Sequence, residues 1–409
     1  MAQVREQVIL SEFTTIRLGG PARRFVEAAT DEEIIAEVRA ADERAEPLLV
    51  LGGGSNLVIS DDGFPGTVIH VATKGIRREN SSPADAGRDG AAPAGEGAGA
   101  SVRDGSRPSR GQVTVTVAAG EDWDTVVASC VAEGLAGLEC LSGIPGRAGA
   151  TPIQNVGAYG QEVAETITLV HAYDRARGEV VELAGRDCGF GYRTSAFKRG
   201  AGQVTARGGL GEYTGRFVVL NVVFGLDLHP LSRPVGYREL AQRLGLAEGG
   251  QAPLGEVRAA VLALRRGKGM VLDPGDPDTR SAGSFFVNPV LDAGQFAALQ
   301  AAAAARCGPD VRIPRYPADP GHVKVSAAWL IEQAGFRKGY PAKEASSEGA
   351  PDPGLPGARI SAKHTLALVN PGGASTVSLL GLAREVRDGV RDVFGVELAN
   401  EPVLVGNSL

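Results

Sequence analysis

Residues 143–160 read GIPGRAGATPIQNVGAYG, a run with few bulky side chains in which Gly143, Gly146, Gly149, Gly157 and Gly160 leave the backbone open to left-handed conformations and close approach. Main-chain amides in such a run can crowd against a large bound anion. Pro145 and Pro152 stiffen the same path. In a chain with 57 glycines among 409 residues, an ordinary tight loop is the competing reading, and the flanking sequence has to separate the two.

Just upstream, VTVTVAAG at 113–120 alternates as a strand does, and a helix is expected over Trp123–Glu133 with Gly134 ending it. Further toward the N-terminus, Thr30 and Glu33 form a capping-box pattern before a short amphipathic helix with Ile34, Ile35 and Val38 on one face. LLVLGGGSNLVIS at 48–60 is then strand, glycine turn and strand. The turn, Gly52, Gly53, Gly54, Ser55 and Asn56, leaves several amides open to a pyrophosphate, and Ser55 and Asn56 add polar side chains. It is not a G-x-G-x-x-G motif: Leu57 holds the sixth position and a strand follows, so the helix dipole of a Rossmann site is absent and loops alone would hold a dinucleotide.

Downstream, Thr166–Tyr173, Glu179–Leu183 and Arg216–Leu228 read as strands. Beyond Pro230 the pattern turns helical, over Val257–Arg266, Ala293–Arg306, Ser326–Ala334 and Thr376–Phe394. Residues 79–111 carry hardly a large apolar side chain and read as a disordered insertion; the Pro/Gly-rich tract 340–357 reads as a surface insertion. The chain thus divides into residues 1–78, the insertion, 112–229, 230–395 and a closing segment 396–409, in an α+β architecture.

At 43% hydrophobic and 22% charged residues, the chain can build packed cores. Its 42 basic and 48 acidic residues provide no sequence-wide basic field, so neither nucleic acid nor a membrane surface is an expected partner. Cys130, Cys140, Cys188 and Cys307 are widely spaced, without a C-x-x-C pair, so no metal site and no disulfide framework is expected; buried free thiols are. The first residues lack the continuous apolar core of a signal peptide, no apolar run is long enough to span a bilayer, and a cytoplasmic monomer is the expectation.

Three positions could carry chemistry. GSFFVNP at 283–289 sets Ser284 beside two aromatic rings, either as a reactive hydroxyl or as the satisfied serine of a buried strand end. Glu401 in ANEPVLVG is either a solvated turn residue or a placed charge, and Arg193 in FGYRTSAFK either a structural ion-pair partner or a clamp for a carboxylate.

Taken in order, TTIRLGGPA (14–22), LGGGSNLVISD (51–61), GIPGRAGATPIQNVGAYG, FGYRTSAFK, GSFFVNP, AAWLIEQAGFRKG (327–339), HTLALVN (364–370) and EPVLVG (401–406) resemble the UDP-N-acetylenolpyruvoylglucosamine reductase family. The resemblance implies an FAD-binding fold of the vanillyl-alcohol-oxidase type, two α+β subdomains around FAD and a C-terminal substrate-binding α+β domain. It implies that Gly52, Gly53, Gly54, Ser55 and Asn56 meet the FAD pyrophosphate, that Gly146, Asn155 and Gly157 line the flavin, and that the 15–20 stretch is part of the same wall. It also implies NADPH as co-substrate and UDP-N-acetylglucosamine enolpyruvate as acceptor, a reaction of peptidoglycan precursor synthesis and hence of cell-wall biogenesis, cell shape and division.

By the same resemblance Ser284 is the proton donor, and Arg193 and Glu401 support an enolate-like charge. A carboxylate in that place calls for a proton of its own and so for a raised pKa. Tyr237 in RPVGYREL and Lys268 in RRGKGMVLDP match diphosphate-binding positions of the subtype with a substrate-covering loop, with Asn288 and Gln333 near the sugar or nicotinamide. Val287 stands where many relatives carry lysine, and the two insertions have no counterpart in the compact pattern. His364 is read as structural. The alternatives are an FAD-dependent alcohol or lactone oxidoreductase of the same fold and a non-catalytic regulator that binds a nucleotide sugar.

Overall fold

The computed structural model describes residues 2–80, 111–199, 213–247, 249–341 and 357–409; the two insertions lie, except for their ends, outside the described residues. The chain forms two compact units, each discontinuous in sequence. The first comprises residues 1–7, 23–53 and 65–266, the second residues 8–22, 54–64 and 267–409.

The first unit is built largely on antiparallel pairing. Its larger sheet orders Glu179–Ala184, Ile167–Asp174, Phe217–Leu228, Gln112–Ala118 and Ile76–Asn80, with Leu135–Ala136 also on Phe217–Leu228. The alternation read at 113–117 places Val113, Val115 and Val117 in the core, and Val117 pairs with Val222, which pairs with Val170. Trp123–Ala132 is the expected helix, with Asp122 as its cap accepting the Thr125 N–H. A smaller sheet runs Gln3–Ile9, Pro21–Ala28, Phe64–Val71, Leu48–Leu51, its last pair parallel. The Asp31–Glu43 helix is capped by Thr30 as expected, but it buries Ile34, Val38 and Ala41 while Ile35 is only partly covered.

The helical pattern beyond Pro230 does not mark the start of the second unit, because the first continues through Arg266. Val235, Leu240, Val257 and Val261 form a cluster with Cys140, and this packing holds the Leu254–Gly267 helix in the first unit.

The second unit packs the helices Ala293–Cys307, Ala327–Ala334 and Thr376–Phe394 around one core that includes Phe285, Phe286, Leu330, Leu379 and Val386. Its strand Leu57–Ile59 pairs in parallel with Val403–Val405, so the C-terminal segment lies beside residues that directly follow the glycine turn. The Thr376–Phe394 helix begins on Asp61, whose carboxylate accepts the N–H groups of Thr376 and Val377 at 2.9 and 3.2 Å. Among the described residues no helix is long and apolar enough to cross a membrane, and no three His, Cys, Asp or Glu residues cluster as metal ligands.

Candidate active site

In the first unit the 143–160 run is a tethered loop. Asp124 takes the Gly143 N–H at 2.6 Å and binds Arg258 through two hydrogen bonds of 2.6 and 2.9 Å, joining the loop to two helices. Burial alone would raise the Asp124 carboxyl, but Arg258 and the Gly143 N–H outweigh it and hold the group below the ordinary carboxylate range. Of the five glycines, Gly143, Gly146 and Gly160 have positive φ. Gly149 and Gly157 are required for space instead: a Cβ on Gly149 would stand 2.5 Å from Ala119 Cβ, and one on Gly157 2.8 Å from Glu162 Cγ.

The GGGSN turn meets this loop main chain to main chain, since a Cβ on Gly53 would stand 2.7 Å from the Gly146 Cα. In the second unit Gly54 has φ +57 and lies against Phe13, while Thr15 donates its N–H to the Gly54 carbonyl at 3.2 Å. The 15–20 stretch thus does border the turn. Among the described residues no protein acceptor takes the N–H of Gly53, Gly54 or Ser55. Three consecutive open N–H donors on a side-chain-poor turn fit the pyrophosphate of a dinucleotide.

Asn155, expected to line the flavin, makes several contacts with protein. It is buried, and its side chain is committed to protein: Nδ2 donates to Glu162 Oε2 at 2.7 Å and to the Gly191 carbonyl at 3.0 Å, and Oδ1 accepts the Ala164 N–H at 3.2 Å. Its N–H donates to the Pro152 carbonyl at 3.4 Å, which leaves the Asn155 carbonyl for a ligand. Arg193 occupies the third position of a tight turn closed by Gly191 and Thr194, with φ +52, and its Nη2 donates to the Gly157 carbonyl at 3.1 Å. Tyr237 is 39% exposed and meets Tyr159 edge to face, ring centroids 5.2 Å apart. Arg265 was not singled out in the sequence, although the run RRGKG offers a signal. Burial lowers its pKa to about 10 against the pull of Tyr159 and Asp124, and Arg193 adds like-charge repulsion.

In the second unit main-chain bonds set Glu401 against Phe285, the residue after Ser284. Phe285 donates its N–H to Leu366 and accepts that of Glu401 at 2.8 Å; Phe286 bridges Asn400, and Val287 donates to Ala399. The two phenylalanine rings anchor the strip in the core, edge to face at 5.1 Å, while Ser284 and Glu401 stay half-buried. Asn56 joins the same lattice, accepting the Val403 N–H at 2.9 Å.

Of the four substrate-binding candidates, Lys268, Asn288 and Gln333 belong to the second unit. Lys268 is half-buried just past the Leu254–Gly267 helix. Asn288 Oδ1 accepts the Ala327 N–H at 3.0 Å at the start of the Ala327–Ala334 helix, so its amide NH2 is what it can offer a ligand. Gln333 is in the last turn of that helix, roughly 9 Å along the axis, where its Oε1 accepts from Cys307. The structure does not bring these two amides to one end of the helix.

Comparison with known proteins places this architecture. Residues 22–97 and 107–184 match an FAD binding domain family, and residues 276–405 match the C-terminal domain of UDP-N-acetylenolpyruvoylglucosamine reductase. With its loop-held glycine turn, the chain is an α+β flavoprotein with an FAD-binding fold. A UDP-N-acetylenolpyruvoylglucosamine reductase from Thermobifida fusca is 50% identical over 402 residues, covering 98% of each chain, and one from Streptomyces coelicolor is 50% identical over 401 residues, 98% of this chain and 90% of the relative. The crystal structure of the Thermus caldophilus enzyme matches with a TM-score of 0.58 at 23% identity, covering 99% of this chain and all of that one, a likeness of fold. The chain belongs to the UDP-N-acetylenolpyruvoylglucosamine reductase family.

Proposed function

We propose that this chain reduces UDP-N-acetylglucosamine enolpyruvate to UDP-N-acetylmuramate through FAD, with NADPH as the source of hydride, in peptidoglycan precursor synthesis. The observation that carries this reading is the strip that sets the Ser284 hydroxyl and the Glu401 carboxylate on paired main chain, in a chain half identical to curated members of the family along its whole length. Bound at the open N–H groups of residues 53–55, FAD would supply the hydride for the enolpyruvyl double bond.

The chain's own task is charge and proton management. Adding hydride to the methylene carbon leaves negative charge on the carbon next to the substrate carboxylate, and Arg193 supplies fixed positive charge to oppose it. Ser284 delivers its proton to that carbon, and a serine can do so only to a strongly basic partner and from a fixed orientation. The main-chain bonds on either side of Phe285 provide that orientation. Glu401 acts beside it in protonated or proton-sharing form. Tyr237, on the covering loop, and Lys268 hold the diphosphate, with the Asn288 amide and Gln333 near the sugar or nicotinamide. The protein works as a cytoplasmic monomer without nucleic acid or membrane.

The test is direct. The purified protein is yellow, oxidises NADPH only when the enolpyruvyl sugar is added, and yields UDP-N-acetylmuramate. Colourless protein that refuses added FAD overturns the proposal. Bound FAD without turnover favours the regulator, and turnover of an alcohol or lactone instead favours the oxidoreductase alternative.

A further inference from the structure

The 153–162 stretch, which ends in a hairpin, and the 191–198 segment are fastened to each other at several points, all within the first unit. Ser195 Oγ donates to the Ile153 carbonyl at 2.8 Å, Lys198 Nζ reaches Gln154 Oε1 at 2.9 Å and, within its own segment, the Arg193 carbonyl at 3.2 Å, and Arg193 itself reaches Gly157. Gly157 pairs with Glu162 and Ala158 with Gln161, and the turn between them, Tyr159 and Gly160, is left-handed at both residues. Asn155, Tyr159 and Arg193 are three of six non-glycine residues with positive φ among the described residues. Such conformations cost energy in each residue and persist where surrounding contacts over-determine them.

The contact that ties this strain together is Asn155. Its Nδ2 spans two segments, from the Glu162 carboxylate to the carbonyl of Gly191, the residue that opens the turn carrying Arg193. An acceptor on Glu162 fixes the orientation of the amide, and the second N–H then fixes the turn. The guanidinium is held from the same hairpin, by the Gly157 carbonyl.

We propose that Asn155, oriented by Glu162, is a positioning residue for Arg193 that sets the guanidinium where charge develops on the substrate, and this rests on the function proposed above. Its side chain serves the arginine turn, while its own carbonyl is left for a ligand. An arginine that must oppose a transient charge gains from a fixed location, because a misplacement of about 1 Å can cost on the order of 100-fold in rate.

Asn155→Asp is the informative variant, since aspartate, like asparagine, tolerates φ +44, and it keeps the acceptor for Ala164 while removing both donated hydrogens. Asn155→Gly is the second, removing every side-chain contact without backbone strain. The flavin is reduced anaerobically with dithionite or NADPH, then mixed with the enolpyruvyl sugar in a stopped-flow instrument. In both variants we expect bound FAD and a flavin reduction rate within about two-fold of wild type, with reoxidation by the sugar slowed about 10- to 100-fold.

In an Arg193→Ala background, Asn155→Asp changes reoxidation by less than about two-fold, as residues acting through one another should. Glu162→Gln retains an uncharged acceptor and gives a smaller loss confined to the same half-reaction. Equal losses in both half-reactions, or the full Asn155→Asp loss in the Arg193→Ala background, overturn the inference and leave the enzyme's function standing. Wild-type reduced flavin that the enolpyruvyl sugar does not reoxidise overturns both.

Discussion

The first unit holds its reactive side chain with other side chains, whereas the second holds its pair with main chain. Arg193 sits in a left-handed turn fastened by Asn155, Ser195 and Lys198; Ser284 and Glu401 sit on a strip whose registered bonds run from Leu366 to Phe285 and from Phe285 to Glu401. Placement by side chains can be undone by substituting a supporting residue, while placement by main chain is indifferent to most such changes. Substitution in the second unit should therefore remove chemistry without disturbing geometry. Ser284→Ala sharpens this most: formation of UDP-N-acetylmuramate falls by about 100-fold or more, the range of a lost general acid, while flavin reduction by NADPH stays within about two-fold. Equal loss of both half-reactions, read by stopped-flow absorbance, breaks the comparison and the role of Ser284.

The next largest effect belongs to the glycine contact of the first unit. A Cβ on Gly53 would stand 2.7 Å from the Gly146 Cα, and one on Gly52 only 3.4 Å from the Arg147 Cβ, at the edge of ordinary contact. Gly53→Ala must push backbone against backbone, so thermal unfolding should report a loss of about 1–3 kcal/mol together with weakened FAD retention. Gly52→Ala should cost distinctly less. Similar losses for the two would mean that the 2.7 Å approach relaxes freely.

This difference in construction also explains what could be read in the sequence. The 143–160 loop, the GGGSN turn and the cap at Thr30 use glycine, asparagine and threonine for conformations or bonds that few other residues supply, so they are legible. The pairing of Phe285, beside Ser284, with Glu401 uses peptide groups, which every residue carries, so no residue type marks it. The strands Pro21–Ala28 and Phe64–Val71 are illegible in the sequence for a related reason. Pro21, Arg23 and Arg24 break the alternation of the first, and Pro65 and Gly66 imitate a turn in the second, although most of both strands is covered. Nor does composition reveal that residues 8–22 and 54–64 belong with the C-terminal half. That assignment rests on bonds such as Val403 to Asn56 and Thr15 to Gly54, remote in sequence. The family resemblance singles out Asn155 as a site residue, but its commitment to Glu162 and Gly191 requires the folded turn.

A pH experiment separates the units more gently. Asp124 is held below its ordinary value, so its contribution to stability is present above the unfolded pKa, near 3.8, and is lost as pH falls through the lower folded value. Asp124→Asn should therefore lower the unfolding temperature at neutral pH, and the gap from wild type should close as the pH drops below about 4. The variant should also loosen the start of the cradle, since Gly143 loses a charged acceptor. A gap that stays constant down to low pH would show that the carboxylate charge contributes nothing there.

The smallest effect tests covering rather than energy. Three of the four cysteines are in the first unit, and all three are buried; burial pushes Cys130 and Cys188 up to about 12 and raises Cys140 as well, so at neutral pH they present neither a thiolate nor access. Cys307 corrects the expectation of uniformly buried thiols. It ends the Ala293–Cys307 helix of the second unit, exposed, with its Sγ directed at Gln333. A thiol reagent added to native protein should label one cysteine per chain quickly, with four labelled after denaturation, and Cys307→Ser should abolish the fast phase. Its stability cost should lie within about 0.5 kcal/mol, as at other exposed positions. A second thiol that reacts at a comparable rate in the native state would mean that the six-stranded sheet of the first unit opens to solvent, and that side-chain fastening leaves Arg193 on a less stable frame than the main-chain strip gives Ser284.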